Sequence, residues 1–422
     1  MENRQIIKDE LTKNECIYVK HKSGLDIFVC EMEGYSTVDA LFGTKYGSVN
    51  TCFKTKADKE YTTVPEGIAH FLEHKLFEND ECDAFELYSK TGAHANAFTS
   101  FDCTAYLFAC TQRFSENLKI LINLVQNPYF TDENIEKERG IITQEIKMYL
   151  DDPGTRVFYN CMDGIYHNNP ARIDIAGTVD SIQKIDKELL YRCYNTFYNL
   201  NNMFLSISGN FDPDEALKIC DELLICKEDP EIDVIVPKEP YEVNEKKVIQ
   251  KLECAMPLFQ IGFKIPYPEN CVKDYLAFNI MLETALGDTS EFYNRLYDEG
   301  IINDSFGVGV TKGRGFFVPV ICGISHEPER VAKEVISELS RIRKEGLSQN
   351  SINTCIKMTY GETFSFDNVE KVARMGMMAE FENKSIFTNS ETAASLTYND
   401  VMDVLERLDL NNYCLSIIEP NQ

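Results

Sequence analysis

The feature that most constrains the fold is a charged, proline-rich segment near the middle of the chain. Residues 227–247, KEDPEIDVIVPKEPYEVNEKK, contain three prolines and many charges, a composition typical of an exposed connector. At 422 residues the chain is also too long for one ordinary domain. We therefore expect an N-terminal domain over 1–228, a linker over 229–246 and a C-terminal domain over 247–422.

The two parts show similar orders of strand and helix patterns. Predicted strands lie in 17–48, 94–110, 202–211, 248–264, 305–323 and 413–420. Predicted helices lie in 65–78, 113–126, 131–150, 180–198, 213–226, 273–286, 327–345 and 348–363. The clearest echo is between TDENIEKERGIITQEIKM and SQNSINTCIKMTYGE, each of which begins with a hydroxyl residue that can cap a helix. The predicted fold class is α+β, with two homologous domains, each a mainly antiparallel sheet with helices packed on one face.

Composition excludes several kinds of protein. A formal net charge of −26 and a pI near 4.7 argue against nucleic-acid binding, which needs basic patches. No apolar stretch reaches the length needed to cross a bilayer, and the N-terminus lacks a secretion signal, so we expect no membrane partner and a cytoplasmic location. The fifteen cysteines contain no CxxC pair, which favours free thiols in a reducing compartment.

The segment HFLEH at 70–74 points to metal chemistry. Only six histidines occur in the chain, and two of them, His70 and His74, lie in one apolar run. Residues i and i+4 of a helix lie about 40° apart on one face, so both imidazoles can bind one metal ion. Glu73 lies beside them and can take a proton from water whose pKa the metal lowers. The alternative is a pair of unrelated helical histidines, one of them buried against a backbone carbonyl.

A catalytic zinc site needs a third protein ligand. Glu138 and Glu145 are seven residues apart on the predicted helix over 131–150, so they lie on nearly the same stripe. One of them can bind the metal while the other supports the site. The alternative is a solvated acidic face, but isoleucines and a methionine flank Glu145, which favours a partly buried carboxylate that needs a partner.

These motifs resemble the pitrilysin/insulinase family of zinc peptidases, the inverzincins, whose signature is HxxEH followed some seventy residues later by a glutamate within an E-x6-E helix. Here 70 residues separate His74 from Glu145. The resemblance implies that His70, His74 and Glu145 hold one Zn²⁺ per chain. It also implies that Glu73 is the general base and that Glu138 supports the site.

The resemblance extends along the whole chain. GAHANAFTSFDCTAYLF at 92–108 is similar to the edge strand on which the family binds an extended peptide. By this similarity Asn96, Ala97 and Thr99 are candidate substrate-binding residues. Backbone pairing of this kind tolerates many substrate sequences.

The C-terminal half departs from the family pattern. No histidine lies between His167 and His326, so this half cannot repeat the zinc site. Active members carry an arginine and a tyrosine there, and the matching positions hold Tyr297 and Asn303. The chain is also half the length of single-polypeptide members, and so resembles one half of a clam-shell. The resemblance implies a heterodimer whose homologous second subunit supplies the arginine and tyrosine; a homodimer would lack them in both copies.

The predicted function is a zinc-dependent endopeptidase that hydrolyses unstructured peptides. One alternative is a maturation protease that trims the leader of a single precursor. Another is a non-catalytic scaffold subunit of the same fold, against which the intact HFLEH and both downstream glutamates speak. The sequence does not separate maturation from general peptide turnover.

Overall fold

The computed structural model of the chain describes residues 4–9, 12–78, 84–363, 366–381 and 385–421. The chain divides into two compact units. The first unit comprises Met1–Gln144, Ile175–Ile235 and Ser365–Thr388, and the second comprises Glu145–Asp174, Val236–Phe364 and Asn389–Gln422. The change of unit after Ile235 falls inside the predicted linker. Each unit also includes a segment from the other half of the sequence, whereas the predicted domains are contiguous. We call this feature the exchange.

The described residues form strands and helices in both halves of the chain. The strands are β1 (Arg4–Lys8), β2 (Glu15–Lys20), β3 (Asp26–Glu31), β4 (Val38–Thr44), β5 (Cys52–Lys54), β6 (Thr62–Thr63), β7 (His94–Thr99), β8 (Thr104–Cys110), β9 (Met203–Gly209), β10 (Asp233–Val234), β11 (Lys247–Leu252), β12 (Leu258–Phe263), β13 (Gly307–Gly313), β14 (Phe316–Ile324) and β15 (Tyr413–Pro420). The α-helices are α1 (Ile68–Leu76), α2 (Ala84–Thr91), α3 (Phe114–Gln126), α4 (Asp132–Asp151), α5 (Pro153–Ile165), α6 (Val179–Ile182), α7 (Lys187–Phe197), α8 (Pro213–Leu223), α9 (Cys271–Leu286), α10 (Glu291–Asp298), α11 (Pro328–Glu345), α12 (Gln349–Thr363), α13 (Val369–Phe381), α14 (Thr388–Ser395) and α15 (Tyr398–Arg407). Short 3-10 turns lie at Pro170–Arg172 and Leu200–Asn202.

The first unit is built on a seven-stranded sheet with the order β1-β2-β3-β9-β4-β8-β7. Its neighbouring strands are antiparallel except for the parallel pair β3 and β9. Alternate side chains of β8 show that helices cover both faces. Ala105 and Leu107 pack with Met377 of α13, whereas Tyr106 donates a hydrogen bond to the carbonyl of Leu72 in α1. The central strands are therefore buried on both sides. Strands β10, β5 and β6 form a small separate sheet.

The second unit is built on a five-stranded sheet with the order β11-β15-β12-β14-β13. Phe259 and Ile261 of β12 face a core that includes Phe278 of α9. Gly262, which points to the opposite face, lies against Ile165 of α5, because a Cβ on this glycine would be 2.5 Å from the Ile165 side chain. Helix α5 from the N-terminal half therefore covers the second face of this sheet.

The α+β class with two mainly antiparallel sheets is confirmed. Two helices that were not predicted cover the second faces of the sheets. Helix α13 covers the seven-stranded sheet, and helix α5 covers the five-stranded sheet. Among the described residues, no helix combines the length and the apolar character that a membrane crossing requires.

Candidate metal centre

Helix α1 carries both histidines of the HFLEH motif, and a glycine sets where it begins. Gly67 precedes the helix with φ +87°, and a Cβ there would lie 2.4 Å from the carbonyl oxygen of Ala176. Only glycine fits this position without strain. Phe71 and Leu72 are fully buried, which fixes the rotation of the helix about its axis.

Three side chains converge on one point beside this helix. The ligand atoms of His70, His74 and Glu145 all lie within 4.8 Å of one another. Tetrahedral zinc with bonds of about 2.0–2.2 Å holds its ligand atoms roughly 3.3–3.5 Å apart, so small side-chain adjustments suffice. Two imidazoles and a carboxylate suit zinc. The residues present therefore fit a zinc ion.

The neighbours of these candidate ligands hold them in orientation. Nδ1 of His74 lies 2.9 Å from Oε1 of Glu138, a largely buried carboxylate. A proton on Nδ1 directs the lone pair of Nε2 toward a metal. The hydroxyl of Tyr149 donates to Oε1 of Glu145 over 2.9 Å. Glu138 thus contacts a candidate ligand, the position expected for its supporting role.

Burial keeps one of the histidines neutral. Burial, and secondarily the neighbouring imidazole of His74, lower the pKa of His70 to about 3. At neutral pH the His70 ring is therefore uncharged and its nitrogen lone pair is available to a metal ion.

The candidate general base and the candidate substrate strand meet at the end of β7. Thr99, the last residue of β7, donates a hydrogen bond of 2.6 Å to Oε2 of Glu73. Strand β7 is an edge of its sheet and pairs with β8 on one side. Asn96 is exposed on this edge and its Oδ1 accepts from the backbone N–H of Ala97. The roles of these residues in substrate binding stay predictions.

A buried lysine also lies near the site, and it was not among the residues predicted from the sequence. Lys75 has no exposed surface, and its ammonium forms an ion pair with Glu78 and lies 3.8 Å from Oε2 of Glu138. Lys137 binds the other oxygen of Glu78 over 2.9 Å. A charged residue inside the motif HFLEHKLF was the available signal, since a lysine in an apolar helix needs buried partners.

The positions in the second half that depart from the family pattern have local roles. Tyr297 is half exposed and its ring stacks on Tyr293. Asn303 accepts hydrogen bonds from the backbone and the hydroxyl of Ser305. Arg295 forms ion pairs with Glu334 and Glu299. The guanidinium of Arg295, two residues before the position where the resemblance implies an arginine, is therefore already held by carboxylates.

Two family profiles match the chain. Residues 59–179 match the profile of a family described as Insulinase (Peptidase family M16). Residues 184–358 match one described as Peptidase M16 inactive domain. The first match contains the histidine pair and both glutamates.

Individual relatives and solved structures also resemble this chain. The chain is 38% identical over 409 residues to the uncharacterized zinc protease YmfH of Bacillus subtilis (strain 168), covering 95% of each. An M16-like peptidase from Alicyclobacillus acidocaldarius has a similar structure, with a TM-score of 0.93 and 32% identity over 98% of this chain and 100% of that chain. Pitrilysin shares the fold with a TM-score of 0.79 at 15% identity, and the match covers 100% of this chain but 47% of pitrilysin.

Proposed function

The chain belongs to the insulinase family of peptidases, family M16, and from that premise we propose that it is a zinc-dependent endopeptidase that hydrolyses unstructured peptides. One observation carries the proposal: the ligand atoms of His70, His74 and Glu145 lie within 4.8 Å of one another, and Glu73 lies on the helix of both histidines. Hydrolytic zinc sites use such a ligand set and keep a further position open for water or substrate.

Each residue of the site has a chemical task in this reaction. Bound zinc would polarise the scissile carbonyl and lower the pKa of water. Glu73 takes the proton of the attacking water and gives it to the leaving amine. Glu138 holds the ring of His74 through Nδ1, and Tyr149 holds the carboxylate of Glu145.

The edge of β7 gives the proposal its substrate class. Strand β7 lies at an edge of the seven-stranded sheet, and a sheet edge binds an extended peptide through backbone hydrogen bonds. Asn96, Ala97 and Thr99 lie on this strand and are the proposed substrate contacts, through their backbone groups. A folded substrate has few backbone groups free to pair in this way, so we propose unstructured peptides.

We also propose that a homologous subunit completes the active enzyme. The family resemblance supports it, since it places Tyr297 and Asn303 where active members carry an arginine and a tyrosine. Two observations are consistent with it: Arg295 is paired with carboxylates, and the match covers 47% of pitrilysin. The second subunit would supply the positioned donors that stabilise the oxyanion of the transition state.

Peptidase assays with the purified chain test this function. The zinc-loaded chain is incubated with a mixture of unstructured peptides, alone and with the most similar protein from its own genome. We expect cleavage only in the combined sample. Efficient cleavage by the chain alone would refute the need for a second subunit. Zinc binding without cleavage in either sample would favour the scaffold alternative.

Two variants test the assignment of the site. Glu73→Gln keeps the side-chain volume but removes the base, so we expect at least a 100-fold loss of kcat with zinc content unchanged. Loss of zinc in Glu73→Gln would contradict its assignment as the base. His70→Ala is the comparison variant and should lose the metal itself, as measured by elemental analysis.

A further inference from the structure

We propose that Thr99 is a positioning residue for Glu73, acting through its hydroxyl group on the carboxylate that takes the proton from water. This inference rests on the proposed function, because Glu73 needs this orientation only as a general base. Oγ1 of Thr99 donates to Oε2 of Glu73 over 2.6 Å, and the two residues are 26 positions apart in the sequence. The bond ties the end of β7 to α1.

The neighbouring hydroxyl groups decide where the single proton of Thr99 goes. Thr104 lies directly opposite Thr99 in the sheet, with 3.3 Å between the two hydroxyl oxygens. The hydroxyl of Thr104 donates to the carbonyl of Tyr46 over 2.9 Å, so its own proton is committed. Thr99 could donate to either neighbour, and the carboxylate of Glu73 is both nearer and charged. Hydrogen bonds to carboxylates are shorter and stronger than those between neutral groups.

The chain around Thr99 is held firmly enough for such a role. The turn after β7 is closed by a bond of 2.7 Å from the N–H of Ser100 to the carbonyl of Cys103. The N–H of Ser48 donates to the carbonyl of Ser100 over 3.1 Å. A Cβ on Gly47 would lie 2.4 Å from the carbonyl oxygen of Phe101, so this contact is as close as a glycine allows. The hydroxyl of Thr99 is thus presented from a fixed backbone.

A fixed donor on one carboxylate oxygen has a specific consequence for catalysis. The carboxylate of a glutamate rotates easily about its last bond, and a general base must lie within hydrogen-bond reach of the proton it takes. The bond to Oε2 fixes the plane of the Glu73 carboxylate. Misplacement by about 1 Å can cost a factor of 100 in rate.

Steady-state kinetics of two variants, each assayed together with the second subunit, separate this role from substrate binding. Thr99→Val keeps the shape and removes the hydroxyl, so we expect kcat to fall about 10–100-fold while KM stays within about twofold. Thr99→Ser keeps the hydroxyl and should restore kcat to within about threefold of the original. A raised KM with unchanged kcat, or equal impairment by serine and valine, would overturn the proposal.

A matched control is available on the paired strand. Thr104→Val makes the same substitution opposite Thr99, removing the bond to Tyr46 but not the bond to Glu73. We expect a lower melting temperature with kcat within about threefold. A loss of kcat equal to that of Thr99→Val would assign both effects to the hairpin and overturn the specific role of Thr99.

Titration calorimetry gives a readout that needs no turnover. A peptide hydroxamate is added to the zinc-loaded chain, because its N–OH group binds metal and hydrogen-bonds to the general base. In Thr99→Val the hydroxamate Kd should rise about tenfold, with zinc affinity unchanged in a chelator competition. Equal hydroxamate affinity in the original and in Thr99→Val would refute the positioning role. If the original chain cleaves no peptide even together with the second subunit, the proposed function fails, while this titration still decides the role of Thr99.

Discussion

Replacing Gly67 by alanine should damage both the stability of the chain and its metal centre. Gly67 has φ +87°, where a residue with a Cβ costs about 1–2 kcal/mol. The new Cβ would also lie 2.4 Å from the carbonyl oxygen of Ala176, 1.0 Å nearer than the 3.4 Å at which ordinary contact begins. Overpacking of this kind costs a further 1–3 kcal/mol, roughly. We therefore expect Gly67→Ala to lower the free energy of unfolding by about 2–5 kcal/mol.

Gly92→Ala separates the two causes. Gly92 also has a positive φ, +75°, but a Cβ there would meet no atom within 4 Å. The substitution should therefore cost only the conformational part, about 1–2 kcal/mol. The difference between the two variants then measures the clash with Ala176.

Urea unfolding of the metal-free chain and zinc titration by chelator competition test the prediction. Gly67 directly precedes α1, the helix of both histidines, so relief of the clash should displace α1. We therefore expect Gly67→Ala to bind zinc at least tenfold more weakly than the original chain. Gly92→Ala should bind zinc as the original chain does. Equal losses of stability in the two variants, or unchanged zinc affinity in Gly67→Ala, would refute the reasoning.

Three further substitutions have defined outcomes. Burial and the nearby Glu370 raise the pKa of Asp39 from 3.8 to about 6. Between these pH values the folded chain binds more protons than the unfolded chain, so the free energy of unfolding falls as the pH rises. Asp39→Asn should be more stable above pH 6 by about 1–3 kcal/mol, and a gap to the original that does not widen between pH 5 and pH 7 in urea unfolding would contradict this. Gly140→Ala, inside α4 where a Cβ meets no atom within 4 Å, should raise the free energy of unfolding by about 0.5–1 kcal/mol; a lower melting temperature would count against it. Lys75→Met leaves Glu138 without its buried cation and should destabilise the chain by about 3 kcal/mol, whereas unchanged stability in calorimetry would show that the ion pair contributes nothing.

Local patterns carried most of the element predictions. The helix predicted over 213–226 is observed at Pro213–Leu223, where an aspartate cap and a proline mark its start. Helix α5 has the same signal, since Asp152 caps it and Pro153 is its first residue, yet α5 was not among the predicted helices. Nothing in the local sequence of α5 or α13 indicates which sheet the helix packs against. An amphipathic pattern shows that a helix buries one face, but not which distant strands cover that face.

For the metal centre, too, local sequence predicts some features and the fold alone determines others. The spacing of His70 and His74 places both on one helix face without knowledge of the fold. The spacing of residues did not predict contacts between residues that are distant in the sequence. The strand pattern predicted a substrate-binding role for Thr99, which stays a prediction, and it gave no sign that the Thr99 hydroxyl contacts Glu73. The partners of Lys75 include Glu138, 63 positions further along the sequence, and only the packing of α4 against α1 brings them together.

The exchange of α5 and α13 has a consequence for how the chain is made. Strand β9 ends at Gly209, and α13, which covers Ser206 and Ser208 of that strand, begins at Val369. A ribosome adding about 5–20 residues per second needs roughly 10–35 s to reach the end of α13. During that interval one face of the first sheet, including Phe28 and Cys30, lacks its cover. The nascent chain is therefore expected to depend on a chaperone until the helix emerges, and a chain truncated before Val369 is expected to aggregate.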